Sequence, residues 1–267
     1  PLNPRLQLAR GFFLSGATLC FFSAIFLMPL ASAIALAFVA KQKGYRVRVV
    51  LPKGVVPSMA DVLHLYGAEF EWVEPSGGMR GAIEAAKKMA NKDGIYELGQ
   101  FTQQANVDAH YRTTGAEIIA ALGQIDAFVA GIGTGGTIMG VGKRLREANP
   151  AVRVIGVEPR LGDRLQGLRS LVEGYIPPLL DLDTLDGRYL VDSASAIATA
   201  RSVVDREGIL VGVSSGATLS GAYRLAERMD AGNIVVMFSD GGWKYLPARP
   251  WDAAHTGERA LDELHWW

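Results

Sequence analysis

One stretch constrains the fold more than any other: Gly131-Ile132-Gly133-Thr134-Gly135-Gly136-Thr137, set between an apolar run and a helical pattern. Residues 125–130 read as a buried strand, and residues 138–147 carry apolar side chains at helical spacing before Asn149-Pro150 ends them. A strand, a turn too crowded for side chains and a helix N-terminus together present backbone N–H groups to a phosphate. A further strand over residues 152–157 completes a β-α-β unit.

The chain around this unit alternates. Strands are expected over 45–51, 69–73, 96–98, 209–213 and 234–238. Helices are expected over 57–66, 78–90, 108–122, 193–207 and 217–229, and one running from residue 33 ends in Lys41-Gln42-Lys43-Gly44, a basic last turn with a glycine stop. Residues 158–187 form a long irregular stretch, of the kind that carries function or moves. Alternation of this sort predicts an α/β protein with open, mostly parallel sheets flanked by helices.

Charge and cysteine content close off several function classes. The 267 residues balance 27 Lys and Arg against 27 Asp and Glu, so no net field favours nucleic acid or an anionic membrane. Cys20 is the only cysteine, and His64, His110, His255 and His265 show no metal-ligand spacing; they are expected on the surface or at helix ends, with no metal site. Residues 11–40 contain no charged side chain and follow Arg5 and Arg10. By length they could span a bilayer, and with Ala31-Ser32-Ala33 they imitate a secretory signal. Against this, the apolar run continues unbroken into the helix ending at Gly44, and the chain starts at Pro1, so residues 1–32 are expected to be an aberrant or truncated N-terminus rather than a membrane or export segment. The tail holds Trp251, Trp266 and Trp267, large apolar groups that dock on the body, on a second subunit or over a site.

Two chemistries compete for the glycine turn. Gly131-x-Gly133-x-x-Gly136 is formally a dinucleotide fingerprint, and Glu158 ends the next strand about twenty residues on, where a ribose-binding acid belongs. This reads as an NAD(P)-dependent dehydrogenase. Two more small-residue turns, Gly212-Val213-Ser214-Ser215-Gly216 and Ser239-Asp240-Gly241-Gly242, also close predicted strands. Strand ends of an open parallel sheet form the ligand crevice. Three such turns suit a compact phosphorylated ring better than a long dinucleotide.

Gly133-Thr134-Gly135-Gly136-Thr137, Glu158-Pro159, Gly208-Ile209 with Gly212-Val213-Ser214-Ser215-Gly216, and Asp240-Gly241-Gly242 with Lys244-Tyr245-Leu246 occur in the order seen in the cysteine synthase family, which this chain resembles from about Ala33 onward. The resemblance implies a fold type II pyridoxal-phosphate enzyme that makes L-cysteine by β-replacement on O-phospho-L-serine or O-acetyl-L-serine. It implies that Gly133, Thr134, Gly135, Gly136 and Thr137 cradle the cofactor phosphate and that Ser214 bonds the pyridine nitrogen. A neutral hydroxyl there does not enforce a protonated ring, which suits β-elimination and replacement. Gln100-Phe101 resembles the family's substrate-carboxylate segment, although Gln103-Gln104 stands where asparagine and proline are usual. It further implies a smaller mobile unit over residues 33–107, a larger cofactor-binding unit over 108–267, a homodimer and a cytoplasmic location.

The loop residues 162–169 end in Arg169, and with Glu173-Gly174 and Gly242-Trp243-Lys244-Tyr245 this is similar to the cysteine synthase B branch of actinobacteria. There the matching arginine reads the phosphate of O-phosphoserine, and a thiocarboxylated carrier protein can donate the sulfur. A guanidinium fork matches a phosphate dianion and offers little to an acetyl group; the alternative is an ordinary surface arginine. Absent from the 267 residues are the family's Asn-Pro-x-Gly-Ser-x-Lys and Thr-Ser-Gly-Asn-Thr segments: Met28-Pro29-Leu30-Ala31-Ser32 precedes the helix, and no lysine comes before Lys41. No catalytic residue is therefore identifiable. Impaired chemistry, or the role of an inactive binding or regulatory relative, with a membrane tether as one form of it, is the expectation for these 267 residues.

Overall fold

A computed structural model describes residues 39–53, 57–74, 78–91, 94–163, 165 and 167–248. The expected N-terminal segment over residues 1–32 and the tail tryptophans lie outside the described residues.

A helix ends at residue 42. Gly44 closes it at φ 75°, and the Tyr45 N–H reaches back to the Ala40 carbonyl at 2.8 Å. That glycine cap turns the chain into β1 (Arg48–Pro52), followed by α1 (Pro57–Leu65), β2 (Glu69–Val73) and α2 (Gly78–Ala90). Strands β1 and β2 pair in parallel with Val49 opposite Phe70. Leu63 and Ala68 are buried between Val47, Val49, Tyr66 and Phe70, a small core of its own.

The larger sheet follows α3 (Gln104–Arg112) and α4 (Thr114–Ala121). Its elements are β3 (Ala127–Gly131), α5 (Gly136–Ala148), β4 (Arg153–Pro159), β5 (Gly187–Val191), α6 (Ser193–Glu207), α7 (Val213–Ala226) and β6 (Ile234–Val236). Four parallel strands lie in the order β5-β4-β3-β6. The period-two alternation of β3 feeds two cores: Ala127 and Val129 join Val157, Ala217 and Leu225, while Phe128 and Ala130 join Ile138, Val141, Leu145 and Val154. Helices α7 and α5 thus cover opposite faces of the sheet, as a near-continuous apolar strand requires. The α/β class with parallel sheets flanked by helices is what the alternation predicted.

Several boundaries differ from expectation. Residues 96–98 form no strand; Tyr96 and Leu98 are exposed and face no core. The helix expected over 108–122 begins at Gln104 and breaks at Thr113, whose hydroxyl bonds back to the Ala109 carbonyl at 2.8 Å. The strand expected over 209–213 is only a bridge between Val211 and Gly241, because α7 starts at Val213 and takes those residues into its first turn. Edge strand β5, which begins where the irregular stretch was expected to end, alternates buried Tyr189 and Val191 with the more exposed Arg188 and Leu190.

Candidate cofactor site

The glycine turn sits at the C-terminal end of central β3 and opens α5. Gly135 is the N-cap residue at φ 89°, a conformation that favours glycine. At Gly133 a Cβ would stand 2.6 Å from the Gly167 carbonyl oxygen, and at Gly136 one would stand 2.2 Å from Asn106 Oδ1. Backbone and neighbours therefore fill the space that side chains would need. The first N–H groups of α5 have no partner within the helix, so this end favours an anion.

Helix α3 supports the turn from below. Asn106 Nδ2 donates to Thr134 Oγ1 at 3.1 Å and to the Gln100 carbonyl at 2.9 Å. His110 Nε2 lies 3.0 Å from Thr137 Oγ1, and its Nδ1 lies 3.0 Å from Thr114 Oγ1. Burial lowers the His110 pKa below its ordinary 6.5. His110 does lie in the last turn of a helix, but it faces the turn rather than bulk water. The missing proline at Gln104 costs little structure: Gln104 takes the first helical position, and its side chain reaches Asp108 Oδ1 at 3.3 Å.

From β4 the long loop folds back over the turn. The Arg169 N–H donates to the Ile132 carbonyl at 2.8 Å, and a Cβ at Gly167 would lie 3.9 Å from Ser214 Oγ. The loop therefore passes between the glycine turn and the start of α7. Its anchor is Glu158, 1% exposed, which accepts the Leu171 N–H at 2.6 Å and the Arg188 guanidinium at 2.7 Å. This corrects the dinucleotide expectation. Both carboxylate oxygens of Glu158 are engaged inside the protein, so it presents no acceptor to a ribose.

Arg169 reaches the edge of the site. Its guanidinium lies 5.4 Å from the centre of the Phe101 ring and 4.7 Å from that of Tyr175, whose rings meet edge to face. Ser214 is buried in the first turn of α7. Tyr245, 1% exposed in the 3-10 helix Gly242–Ala248, donates to Asp240 Oδ2 at 2.8 Å. The structure thus brings Gly133, Thr134, Gly135, Gly136 and Thr137 together with Gln100, Arg169 and Ser214. Gln100 enters through its backbone carbonyl. Asn106 and His110 were not legible as site residues, although their spacing of four places both on one face of α3.

Among the described residues no cluster of three or more His, Cys, Asp or Glu side chains could hold a metal ion, and no helix is long and apolar enough to cross a membrane. The donor set fits a phosphorylated cofactor: backbone N–H groups of the glycine turn and two threonine hydroxyls at one end, a buried serine hydroxyl at the other.

Comparison with known proteins agrees with that geometry. Residues 32–240 match the family described as pyridoxal-phosphate dependent enzymes, so the chain belongs to that family and its cofactor is pyridoxal phosphate. Cysteine synthase of Staphylococcus aureus is 36% identical over 225 residues, which cover 80% of this chain and 73% of the relative. Among solved structures, O-ureido-L-serine synthase superposes with a TM-score of 0.77 at 32% identity, covering 85% of this chain and 75% of its own. A hydrogen sulfide-producing enzyme of Fusobacterium nucleatum gives 0.76 at 30% identity, with 86% and 73% covered. The chain is a fold type II, cysteine synthase-like member of a β-replacement group.

Proposed function

We propose that the glycine turn, residues Gly133 to Thr137, holds the phosphate of pyridoxal 5′-phosphate, that Ser214 meets its ring nitrogen, and that the substrate is O-phospho-L-serine. When bound, the cofactor supplies an electron-accepting ring that makes an amino acid's α-proton acidic and lets its β-substituent leave. The chain's own residues bind and orient. Thr134, held by Asn106, and Thr137, held by His110, aim their hydroxyls at the phosphate, while Gly167 lets the loop lie close over Ser214. On this reading residues 33–107 form a smaller unit over the cofactor-holding residues 108–267.

The observation that carries the substrate is the setting of Arg169. Clamped against Phe101 and Tyr175, its planar fork is pre-organised beside the Gln100-Phe101 segment, where a substrate's β-phosphate would arrive. Phosphate leaves as the β-carbon to oxygen bond breaks, and a sulfur donor, sulfide or a thiocarboxylated carrier protein, forms the new carbon to sulfur bond. The test is binding of O-phospho-L-serine and of O-acetyl-L-serine to the cofactor-loaded chain. Arg169→Ala should weaken phosphoserine by about tenfold to a hundredfold, the weight of a charge-assisted bond, and leave acetylserine within about twofold. Equal loss of both would sink the assignment.

The covalent lysine segment is not among the 267 residues, so these residues supply the phosphate and ring sites without the group that would attach the cofactor. A chain of these 267 residues is therefore expected to bind pyridoxal phosphate reversibly and to turn over poorly. Borohydride reduction of the loaded chain followed by mass measurement should show no added cofactor; a stoichiometric adduct would contradict this.

A further inference from the structure

Asn106 is bonded to both ends of the site at once. Its Nδ2 donates to the Gln100 carbonyl at 2.9 Å and to Thr134 Oγ1 at 3.1 Å. A carbonyl can only accept, so the amide must turn its nitrogen, and not its oxygen, toward Gln100 and Thr134. Of the two polar residues that α3 aims at the glycine turn, His110 ties Thr137 to Thr114 in α4 and leads away from the Gln100-Phe101 segment. Asn106 leads into it.

Both partners of that amide have set roles. Thr134 Oγ1 also accepts the Gly136 N–H at 3.3 Å, so both of its lone pairs are taken and its own proton is left for an acceptor beyond the turn. At the other end Gly99, at φ 57°, closes a turn on its own carbonyl, which accepts the Thr102 N–H at 2.8 Å, the Gln103 N–H at 2.9 Å and the Thr102 hydroxyl at 3.1 Å. The Gln100 carbonyl takes the Asn106 amide instead, which fixes the plane of the peptide joining Gln100 to Phe101. Phe101, 9% exposed, is a ring against which the Arg169 guanidinium lies at 5.4 Å. The connection thus runs from Thr134 through Asn106 and the Gln100 peptide to the ring beside Arg169.

We infer that Asn106 couples the two ends of the site, so that a phosphate seated on the glycine turn fixes the turn 99–103 and the Gln100-Phe101 segment within it. This rests on the phosphate site proposed above and gives it a consequence at the substrate end. A phosphate oxygen that accepts the Thr134 proton polarises the hydroxyl, and its oxygen becomes a stronger acceptor toward the Asn106 amide. The same amide is then held more firmly over the Gln100 carbonyl. By linkage the segment holds its own ligand more tightly when the phosphate is in place, and the phosphate is held more tightly when that ligand is. Asn106 is a positioning residue here, acting through Thr134 and the Gln100 peptide.

The test is hydrogen exchange, read by mass, of the peptide covering residues 99–103 in the full chain, with and without saturating pyridoxine 5′-phosphate. That probe keeps the phosphate and the ring and has no aldehyde to react with surface lysines; its phosphorus NMR signal reports whether it is seated. In wild type the peptide should exchange about fivefold more slowly on binding, the weight of one hydrogen bond. Thr134→Val keeps the bond from Asn106 to Gln100, so exchange of the empty protein should match wild type while the slowing on binding is lost. Asn106→Ala should speed exchange of the empty protein and lose the slowing as well. A purely structural Asn106 would leave the response of Thr134→Val intact. Should either variant fail to fold or to seat the probe, the other decides. No slowing in wild type with the probe seated, or an unchanged slowing in a variant that seats it, overturns the coupling and leaves the phosphate site standing. A wild-type phosphorus signal that never departs from that of free probe overturns the site, and the coupling with it.

Discussion

His110 Nε2 and Thr137 Oγ1 are 3.0 Å apart, joining the last turn of α3 to the first turn of α5 at the floor of the glycine turn. With its pKa depressed by burial, the imidazole is neutral at pH 7. It then has one N–H to give and one nitrogen with which to accept, matched by the hydroxyls of Thr137 and Thr114. In the unfolded chain the ring takes up a proton near its ordinary 6.5, and in the folded chain only at lower pH. The unfolded state therefore binds more protons in that window, and stability falls as pH drops below about 6.5, by at most about 1.4 kcal/mol per pH unit. His110→Gln should flatten the difference in urea unfolding free energy between about pH 7 and about pH 5.5. Identical slopes for wild type and variant would mean that His110 does not contribute.

Two glycines should respond to alanine with opposite signs. At Gly140, in α5, a Cβ would stand 2.3 Å from the Val107 carbonyl oxygen and 2.9 Å from the Tyr111 nitrogen, both backbone atoms of α3. Gly140→Ala must push the helices apart, at a cost of about 1–3 kcal/mol. Gly81, inside α2, has nothing among the described residues within 4 Å of such a Cβ and no strained φ. Gly81→Ala should stabilise by up to about 1 kcal/mol through helix propensity. Chemical denaturation of the two variants measures both signs.

Glu158 is a loop anchor. Glu158→Ala removes the acceptor of the Leu171 N–H and strands the Arg188 guanidinium. The Arg188 side chain is 42% exposed, so the pair is partly screened and the expected loss is about 2 kcal/mol, mostly from the buried N–H. Glu158→Gln keeps an acceptor for Leu171 and should cost less. Neither variant should change affinity for a nicotinamide dinucleotide, which isothermal titration against wild type checks; saturable binding lost in Glu158→Ala would restore the dehydrogenase reading.

Much of this was legible from the chain alone because it rests on local pattern. The apolar run of β3 and the crowded glycines after it required a buried strand and a helix start, and both are present. What was not legible depends on distant partners. Nothing local distinguishes a Glu158 that faces a ligand from one sealed by Arg188, thirty residues away in sequence. Asn106 and His110 look like ordinary polar positions of a helix until α3 packs on α5. Residues 209–213 have strand composition, yet the glycine at 212 and the start of α7 leave them a single bridge.

Asn106 and Gly136 form a coupled pair. Gly136→Ala would place a Cβ 2.2 Å from Asn106 Oδ1, 2.4 Å from its Cγ and 2.6 Å from its Nδ2, so the amide must leave both Thr134 and the Gln100 carbonyl. Asn106→Ala breaks the same two bonds but leaves open space where the amide stood. Once Asn106 is alanine, the three atoms nearest the methyl group at 136 are gone and it has none of their bonds left to disrupt. The double variant should therefore be more stable than the sum of the single losses, with a coupling of about 0.5–3 kcal/mol. With the phosphate seated as proposed, pyridoxal phosphate affinity should show the same non-additivity, because both single variants release the Thr134 hydroxyl from Asn106. A four-point cycle in urea unfolding and in cofactor titration measures both; strict additivity would mean that the amide is not seated against the turn.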